Sequence, residues 1–142
     1  MTSAAFEEIV DNFELFDDWE DRYRYVIDLG RELPVLDDAR RNDATKVEGC
    51  ASQVWLVPDL RREGGDDRLF FEGDSDAMIV RGLIAVLIAL ISGRTIAEIR
   101  ATDIRSELAR LQLDQALSAQ RSNGLRAMVT RIEDIAQAAS AT

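Results

Sequence analysis

The chain contains, at residues 54–91, the segment VWLVPDLRREGGDDRLFFEGDSDAMIVRGLIAVLIALI. Val54–Val57 and Leu69–Phe71 are rich in β-branched and aromatic residues, which favour strands. Between them lies the pair Gly64 and Gly65, which is typical of a turn. The segment therefore predicts an antiparallel β-hairpin, and its charged residues 61–67 predict a loose connection between the strands.

The hairpin is followed by the longest uncharged apolar stretch of the chain, Gly82–Gly93. A helix is predicted from about residue 76 to residue 91, and because it is apolar on nearly all sides, we expect it at the centre of the fold. Asp74 or Ser75 is expected to cap its N-terminus. A helix that crosses a bilayer needs about 20 apolar residues, so this stretch indicates a buried helix instead.

Further helices are predicted on both sides of this segment. Apolar residues recur at spacings of three and four over residues 3–13 and again over residues 19–30. After the central helix, Thr95–Glu98 predicts a capping box that starts a short helix. Two more helices are predicted, one over residues 104–111 and one from Ser118 onward.

Together these elements predict an α+β fold, in which N-terminal and C-terminal helices flank a hairpin and helices pack on one face of a small antiparallel sheet. The chain has 142 residues, a length that fits one domain over residues 1–142. Its net charge is −10, and most of the acidic excess lies in the first 45 residues. Such a surface repels phosphate backbones and anionic lipids, so we expect neither nucleic acid nor a membrane as partner.

The residue inventory limits the chemistry that this chain can perform. It contains no histidine, which removes the commonest general base and metal ligand, and only one cysteine, Cys50. One thiol cannot by itself build a thiolate zinc site or an iron–sulfur cluster, so no metal and no cofactor are expected. The N-terminus has neither the basic nor the apolar region of a secretory signal. With a single cysteine, these features favour a reducing, cytoplasmic location.

Cys50 is the candidate for covalent chemistry. Gly49 precedes it, Ser52 and Gln53 follow it, and the apolar strand begins only at Val54. A cysteine in such a polar setting is expected at the tip of a loop, where functional residues concentrate. A lone cysteine is also often a small buried apolar residue, so these residues alone leave an inert cysteine and a functional thiol equally open.

The segment Val47–Trp55, VEGCASQVW, resembles the active-site segment of the SufE family of sulfur acceptor proteins. Three further blocks resemble family motifs in the same order, namely Gly73–Ala85, Ser92–Ile99 and Arg121–Met128. The resemblance therefore spans nearly the whole chain. It implies that Cys50 accepts sulfur, as a persulfide, from a pyridoxal-phosphate-dependent cysteine desulfurase and passes it to a scaffold protein that assembles iron–sulfur clusters.

By the same resemblance the protein stimulates the desulfurase and is not an enzyme with a small-molecule substrate of its own. Two residues depart from the family pattern: Glu48 stands where proline or another uncharged residue is common, and Ala51 stands where glutamine is common. The resemblance also implies the following residues as candidates for the active-site loop and the partner surface: Gly49, Ala51, Ser52, Gln53, Asp74 and Arg121.

The charges near Cys50 do not predict a strongly activated thiol. Glu48 is expected to raise the pKa of the thiol, and Lys46 to lower it. We therefore expect a partly sheltered resting thiol that becomes reactive when the protein docks, with Arg121 close to it in the fold.

Two other functions stay open at this point. One is a single-cysteine enzyme of the thiol peroxidase type, which would require a strongly depressed thiol pKa. The other is a non-catalytic adaptor whose cysteine is inert. The sequence does not identify which desulfurase is the partner, and it leaves the oligomeric state, including a homodimer, open.

Overall fold

The computed structural model describes residues 3–50, 52–113 and 117–140. Three strands in these residues form an antiparallel sheet in the order β1-β2-β3. The same residues contain six α-helices, so the predicted α+β fold is confirmed. The helices are α1 (Ala4–Leu15), α2 (Trp19–Arg31), α3 (Met78–Ile91), α4 (Ile96–Ala101), α5 (Ile104–Ala109) and α6 (Ala119–Ser140), and the strands are β1 (Val54–Glu63), β2 (Asp66–Ser75) and β3 (Arg94–Thr95).

The hairpin is longer and tighter than predicted. Strands β1 and β2 are ten residues each and stay paired as far as Glu63 opposite Asp66. Only Gly64 and Gly65 connect them, with φ angles of +63° and +84°, a conformation that favours glycine and matches the twist of a two-residue hairpin turn. The loose connection predicted over residues 61–67 is therefore wrong. Main-chain pairing continues through these exposed, charged positions because the ladder does not depend on apolar side chains.

The start of α3 also differs from the prediction. The helix begins at Met78, and Ala77 occupies the N-cap position without a side-chain bond to the helix. Asp74 and Ser75 belong to the end of β2, where they pair with Trp55 and Val54, so the prediction that either residue caps α3 is wrong. The Ser75 hydroxyl instead accepts a hydrogen bond from the Ala77 amide at 3.2 Å, which shapes the turn between strand and helix.

Helix α3 forms the centre of the fold, as its apolar sequence predicts. Its residues Ile84, Leu90 and Ile91 are completely buried. Helix α2 packs on it through two glycines, because a Cβ atom on Gly82 would clash with the Val26 carbonyl, and one on Gly30 would clash with the backbone of α3. The close contact of α2 with α3 therefore requires glycine at both positions.

Side-chain caps fix the starts of α1 and α4. Ser3 is the N-cap of α1 and accepts from the Phe6 amide at 3.1 Å. Thr95 and Glu98 form the predicted capping box of α4. Within the described ranges, none of the helices is both long and apolar enough to cross a membrane.

Candidate functional site

The segment that carries Cys50 is a loop whose two ends are fixed to the sheet and to the start of α3. At the entrance, the amide of the buried Val47 donates to the Val54 carbonyl at 2.8 Å. At the exit, the Gln53 amide donates to the Asp76 carboxylate at 3.0 Å, and the Asp76 amide donates back to the Gln53 carbonyl at 3.3 Å. Cys50 therefore lies on a short loop, between ends that the main fold holds in place.

The thiol of Cys50 is half-buried and faces α6. Its Sγ atom lies 3.6 Å from the carbonyl oxygen of Gly124, to which the thiol donates. A Cβ atom on Gly124 would stand 3.6 Å from the same sulfur, an ordinary van der Waals distance, so the thiol packs directly against this glycine. Beside the thiol is a cavity of about 20 Å³, roughly the room that one water molecule needs.

The environment of Cys50 opposes ionisation of the thiol. Burial raises the pKa of Cys50, and the nearby Glu48 carboxylate raises it further. The hydrogen bond to the Gly124 carbonyl exists only while the sulfur carries its proton, which favours the neutral form in the same direction. The resting site therefore lacks the depressed thiol pKa that a thiol peroxidase requires.

The structure brings most of the candidate loop residues together. Ser52 and Arg121 line the cavity beside the Cys50 thiol. Gly49 is exposed with a φ angle of +91°, and Gln53 is exposed at the loop exit. The remaining loop candidate, Ala51, lies outside the described residues.

Arg121 lies at the cavity, as predicted, but its guanidinium is engaged elsewhere. It donates to the hydroxyl of Tyr23 at 3.0 Å, which links the start of α6 to α2. The pKa of Cys50 is raised rather than lowered at this site. Arg121 therefore does not activate the resting thiol.

Asp74 is buried and does not line the cavity. Its carboxylate forms ion pairs with Arg81 and with Arg41, the latter at 2.8 Å, and accepts from the Leu36 amide at 3.2 Å. Burial alone would raise the pKa of Asp74, but the hydrogen bonds from Leu36 and Ser75 and the two arginines outweigh it, so the pKa is lowered. Asp74, which belongs to β2, thus links the segment between α2 and the Cys50 loop to α3.

Comparison with known proteins identifies the family. The model of the domain described as "SufE: Fe-S metabolism associated domain" matches residues 7–136. The chain belongs to the SufE family.

Relatives of SufE type match over almost their full length. An uncharacterized SufE-like protein of Rhizobium etli is 49% identical over 138 residues, which cover 97% of this chain and 93% of the relative. An uncharacterized SufE-like protein of Rhizobium meliloti is 47% identical over 134 residues, covering 94% and 96% of the two chains. Membership of the SufE family connects this protein with iron–sulfur metabolism.

Among the solved structures that resemble this fold is one that matches over the whole of both chains. It is the solution structure of a hypothetical protein from Thermus thermophilus, with a TM-score of 0.74 and 17% sequence identity. At that identity the match supports the fold alone.

Sequence reasoning missed several residues of this SufE site. Val80, Leu83 and Met128 line the cavity beside the thiol, although their helical spacing indicated only core positions. Asp76 holds the loop exit, and Arg131 on α6 contacts the loop entrance. The spacing of Arg131 from Gly124, seven residues along one helix, predicts only that the two residues share a face of α6. An arginine on an amphipathic helix nevertheless gives no sign of what it binds.

Proposed function

We propose that this protein is a sulfur acceptor and carrier in iron–sulfur cluster assembly. Cys50 receives a sulfur atom from the persulfide of a pyridoxal-phosphate-dependent cysteine desulfurase, stimulates that enzyme by removing its product, and delivers the sulfur to an iron–sulfur scaffold protein. Membership of the SufE family supports the connection with iron–sulfur metabolism. The observation that carries the proposal is a half-buried thiol on a loop with fixed ends, beside a cavity.

The transfer is a thiol exchange whose atoms balance without an added oxidant. The Cys50 thiol gives up its proton, and the thiolate attacks the outer sulfur of the donor persulfide. A new S–S bond forms on Cys50 while the S–S bond of the donor breaks, and the donor cysteine leaves as a thiolate. The difficult cleavage of the carbon–sulfur bond of free cysteine belongs to the cofactor of the partner.

The surroundings of the thiol suit a carried sulfur atom. The cavity beside Cys50 has room for about one additional heavy atom, since its volume of about 20 Å³ is close to that of one water site. The chain has no second cysteine. A persulfide on Cys50 therefore meets no thiol of its own chain that could attack it, form a disulfide and release sulfide.

The raised pKa of Cys50 suits a carrier that reacts only when docked. A protonated, half-buried thiol reacts slowly with reagents in solution, because the thiolate is the nucleophile. Movement of residues 48–52 away from α6 would bring the thiol into water and remove both burial and the hydrogen bond to Gly124. Docking on a desulfurase would thereby expose and activate the thiol in one step.

The test is an intact-mass measurement after incubation with a purified cysteine desulfurase and cysteine. We expect the protein to gain the mass of one sulfur atom, to lose it on treatment with a reductant, and to gain nothing when Cys50→Ser replaces the thiol. The production of alanine by the desulfurase should rise with the wild-type protein and not with Cys50→Ser.

Absence of added sulfur with a desulfurase that is active on cysteine would overturn the proposal. A peroxide challenge then separates the remaining functions. Rapid formation of a sulfenic acid on Cys50 would indicate a thiol peroxidase. An unreactive thiol, together with stimulation of the desulfurase by Cys50→Ser as strong as that by wild type, would indicate an adaptor.

A further inference from the structure

The loop that carries Cys50 and the chain leading into it lie along one face of α6. Gly124, Ala127 and Arg131 are three and four residues apart, so they share that face. Cys50 contacts Gly124 at one end of the face. A Cβ atom on Gly49 would meet the Ala127 methyl group at 3.4 Å. The chain before Cys50 thus runs antiparallel to α6, with its backbone against two small residues.

Arg131 holds the far end of this contact. Its guanidinium donates to the carbonyl of Lys46 at 3.3 Å and to the carbonyl of Ala44. The carbonyl of Thr45, between them, points the other way and accepts from the Leu56 amide of β1 at 2.9 Å. The two carbonyls that face away from the sheet therefore find their donors on Arg131.

Arg131 binds main-chain carbonyls, a pattern that it shares with Arg22, which donates to the carbonyls of Phe13 and Phe16. Across residues 3–50, 52–113 and 117–140, the side chain of Arg131 makes its two bonds to backbone carbonyls and no ion pair. Arg105 offers a contrast, because it joins α5 to α6 through the Glu133 carboxylate and the Thr130 hydroxyl. The side chain of Arg131 instead binds the backbone at the entrance of the Cys50 loop.

We propose that Arg131 is a positioning residue for Cys50. By fixing the loop entrance to the same helix face that receives the thiol, it sets the fraction of molecules in which Cys50 is sheltered against Gly124. This inference rests on the proposed role of Cys50 as a sulfur carrier, for which the balance between sheltered and exposed thiol matters. The inference goes further, because it assigns control of this balance to Arg131, which lies seven positions from Gly124 along α6.

The test is the rate at which Cys50 is alkylated by iodoacetamide in the free protein. We expect Arg131→Gln to raise the alkylation rate about fivefold. The variant loses roughly one net hydrogen bond that forms only when the thiol is sheltered, so the exposed state becomes more populated. Arg131→Lys should restore part of the protection, because an ammonium group can still donate to one of the two carbonyls. The matched control is Arg105→Gln, which removes an arginine bound to the same helix and should leave the rate within about twofold of wild type.

A second measurement separates positioning from general loss of stability. Alkylation through a local movement of the loop depends little on low concentrations of urea, whereas alkylation through global unfolding rises steeply with urea. We expect Arg131→Gln to react faster with a shallow urea dependence. An unchanged rate, or a faster rate with a steep urea dependence, would overturn the proposal.

The outcome does not depend on the proposed function being correct. Alkylation in the free protein tests Arg131 without a partner, while sulfur loading by a desulfurase tests the role of Cys50. Wild-type protein that fails to load sulfur removes the proposed function, and an unchanged alkylation rate in Arg131→Gln removes the positioning role alone.

Discussion

At the scale of single residues, the negative charge of Glu48 disfavours a second negative charge on Cys50. The carboxylate of Glu48 raises the pKa of a thiol that burial has already raised. The sulfur therefore stays protonated at pH values where a free cysteine begins to ionise.

Replacing Glu48→Gln should make the thiol more reactive. Removal of the negative charge lowers the pKa of Cys50 and shifts the pH profile of alkylation to lower pH. At pH 8 we expect about a two- to threefold faster reaction, the size of effect that a partly exposed charge pair produces. Iodoacetamide kinetics from pH 7 to pH 10 would measure the shift.

The control for this variant is Asp43→Asn, which removes an exposed negative charge from the chain before Cys50 without altering the loop. Its pH profile should match that of wild type. If Glu48→Gln left the profile unchanged, burial and the hydrogen bond to Gly124 would account for the raised pKa without Glu48.

The limits of sequence reasoning are clearest at the residue scale. The expected neighbours of the thiol were local in sequence, and Ser52 does line the cavity beside it. Gly124 and Arg131 lie more than 70 positions away, and no local pattern pairs them with the loop. Asp74 was expected at a helix start because acidic residues commonly cap helices, but its partly buried arginine partners are visible only in the fold.

At the scale of elements, two helix glycines differ in whether the packing leaves room for a Cβ atom. Gly82 lies where α3 touches the backbone of α2 at Val26, and Gly124 lies where α6 faces the Cys50 thiol. A Cβ atom has no room at the first position, because the obstacle is backbone. At the second position the distance of 3.6 Å to sulfur is an ordinary contact.

Alanine should therefore destabilise the protein at one glycine and not at the other. We expect Gly82→Ala to lower the free energy of unfolding by about 3 kcal/mol, because α2 must move away from α3. Gly124→Ala should be neutral or raise it by up to about 1 kcal/mol, because alanine favours helices more than glycine does. Urea denaturation followed by circular dichroism would measure both, and equal losses would contradict this account.

The hairpin shows why element lengths were only partly predictable. A run of β-branched and aromatic residues marks a strand where the sheet is buried, as at Val54–Val57. The outer half of the hairpin, around Gly64, is exposed on both sides, so its charged residues carry no such pattern. The pair of glycines did mark the turn, and the strands extend to it because the ladder of backbone hydrogen bonds continues.

At the scale of the whole molecule, Asp74 connects three regions that are distant in sequence. Its carboxylate binds the Leu36 amide and Arg41 in the connection after α2, and Arg81 in α3, while its backbone belongs to β2. The carboxylate must be ionised to bind both arginines. Its pKa is accordingly below the ordinary value of 3.8.

This arrangement predicts how the stability of the protein depends on pH. A carboxylate with a lowered pKa in the folded state stabilises the protein above its unfolded pKa, and this contribution is lost as the pH falls through the folded pKa. Asp74→Asn should lower the free energy of unfolding at pH 7 by about 3 kcal/mol, because it leaves two partly buried arginines without their shared partner.

The difference between Asp74→Asn and wild type should shrink as the pH falls below about 4. Urea denaturation at pH 7 and pH 3 would measure it, with the exposed Asp37→Asn as the control that should behave as wild type. A difference that is the same at both pH values would show that the charge of Asp74 is not what stabilises the fold.

Helix α6 follows every other described element along the chain, and a ribosome releases these elements in the same order. Until its residues 124–131 emerge, the thiol of a nascent polypeptide meets neither the Gly124 carbonyl nor a loop entrance held by Arg131. Each newly made molecule therefore passes through an interval in which its sulfur is open to electrophiles and oxidants. Emergence and docking of residues 124–131 close that interval, so the chemical protection of the cysteine depends on α6, which is made after the Cys50 loop.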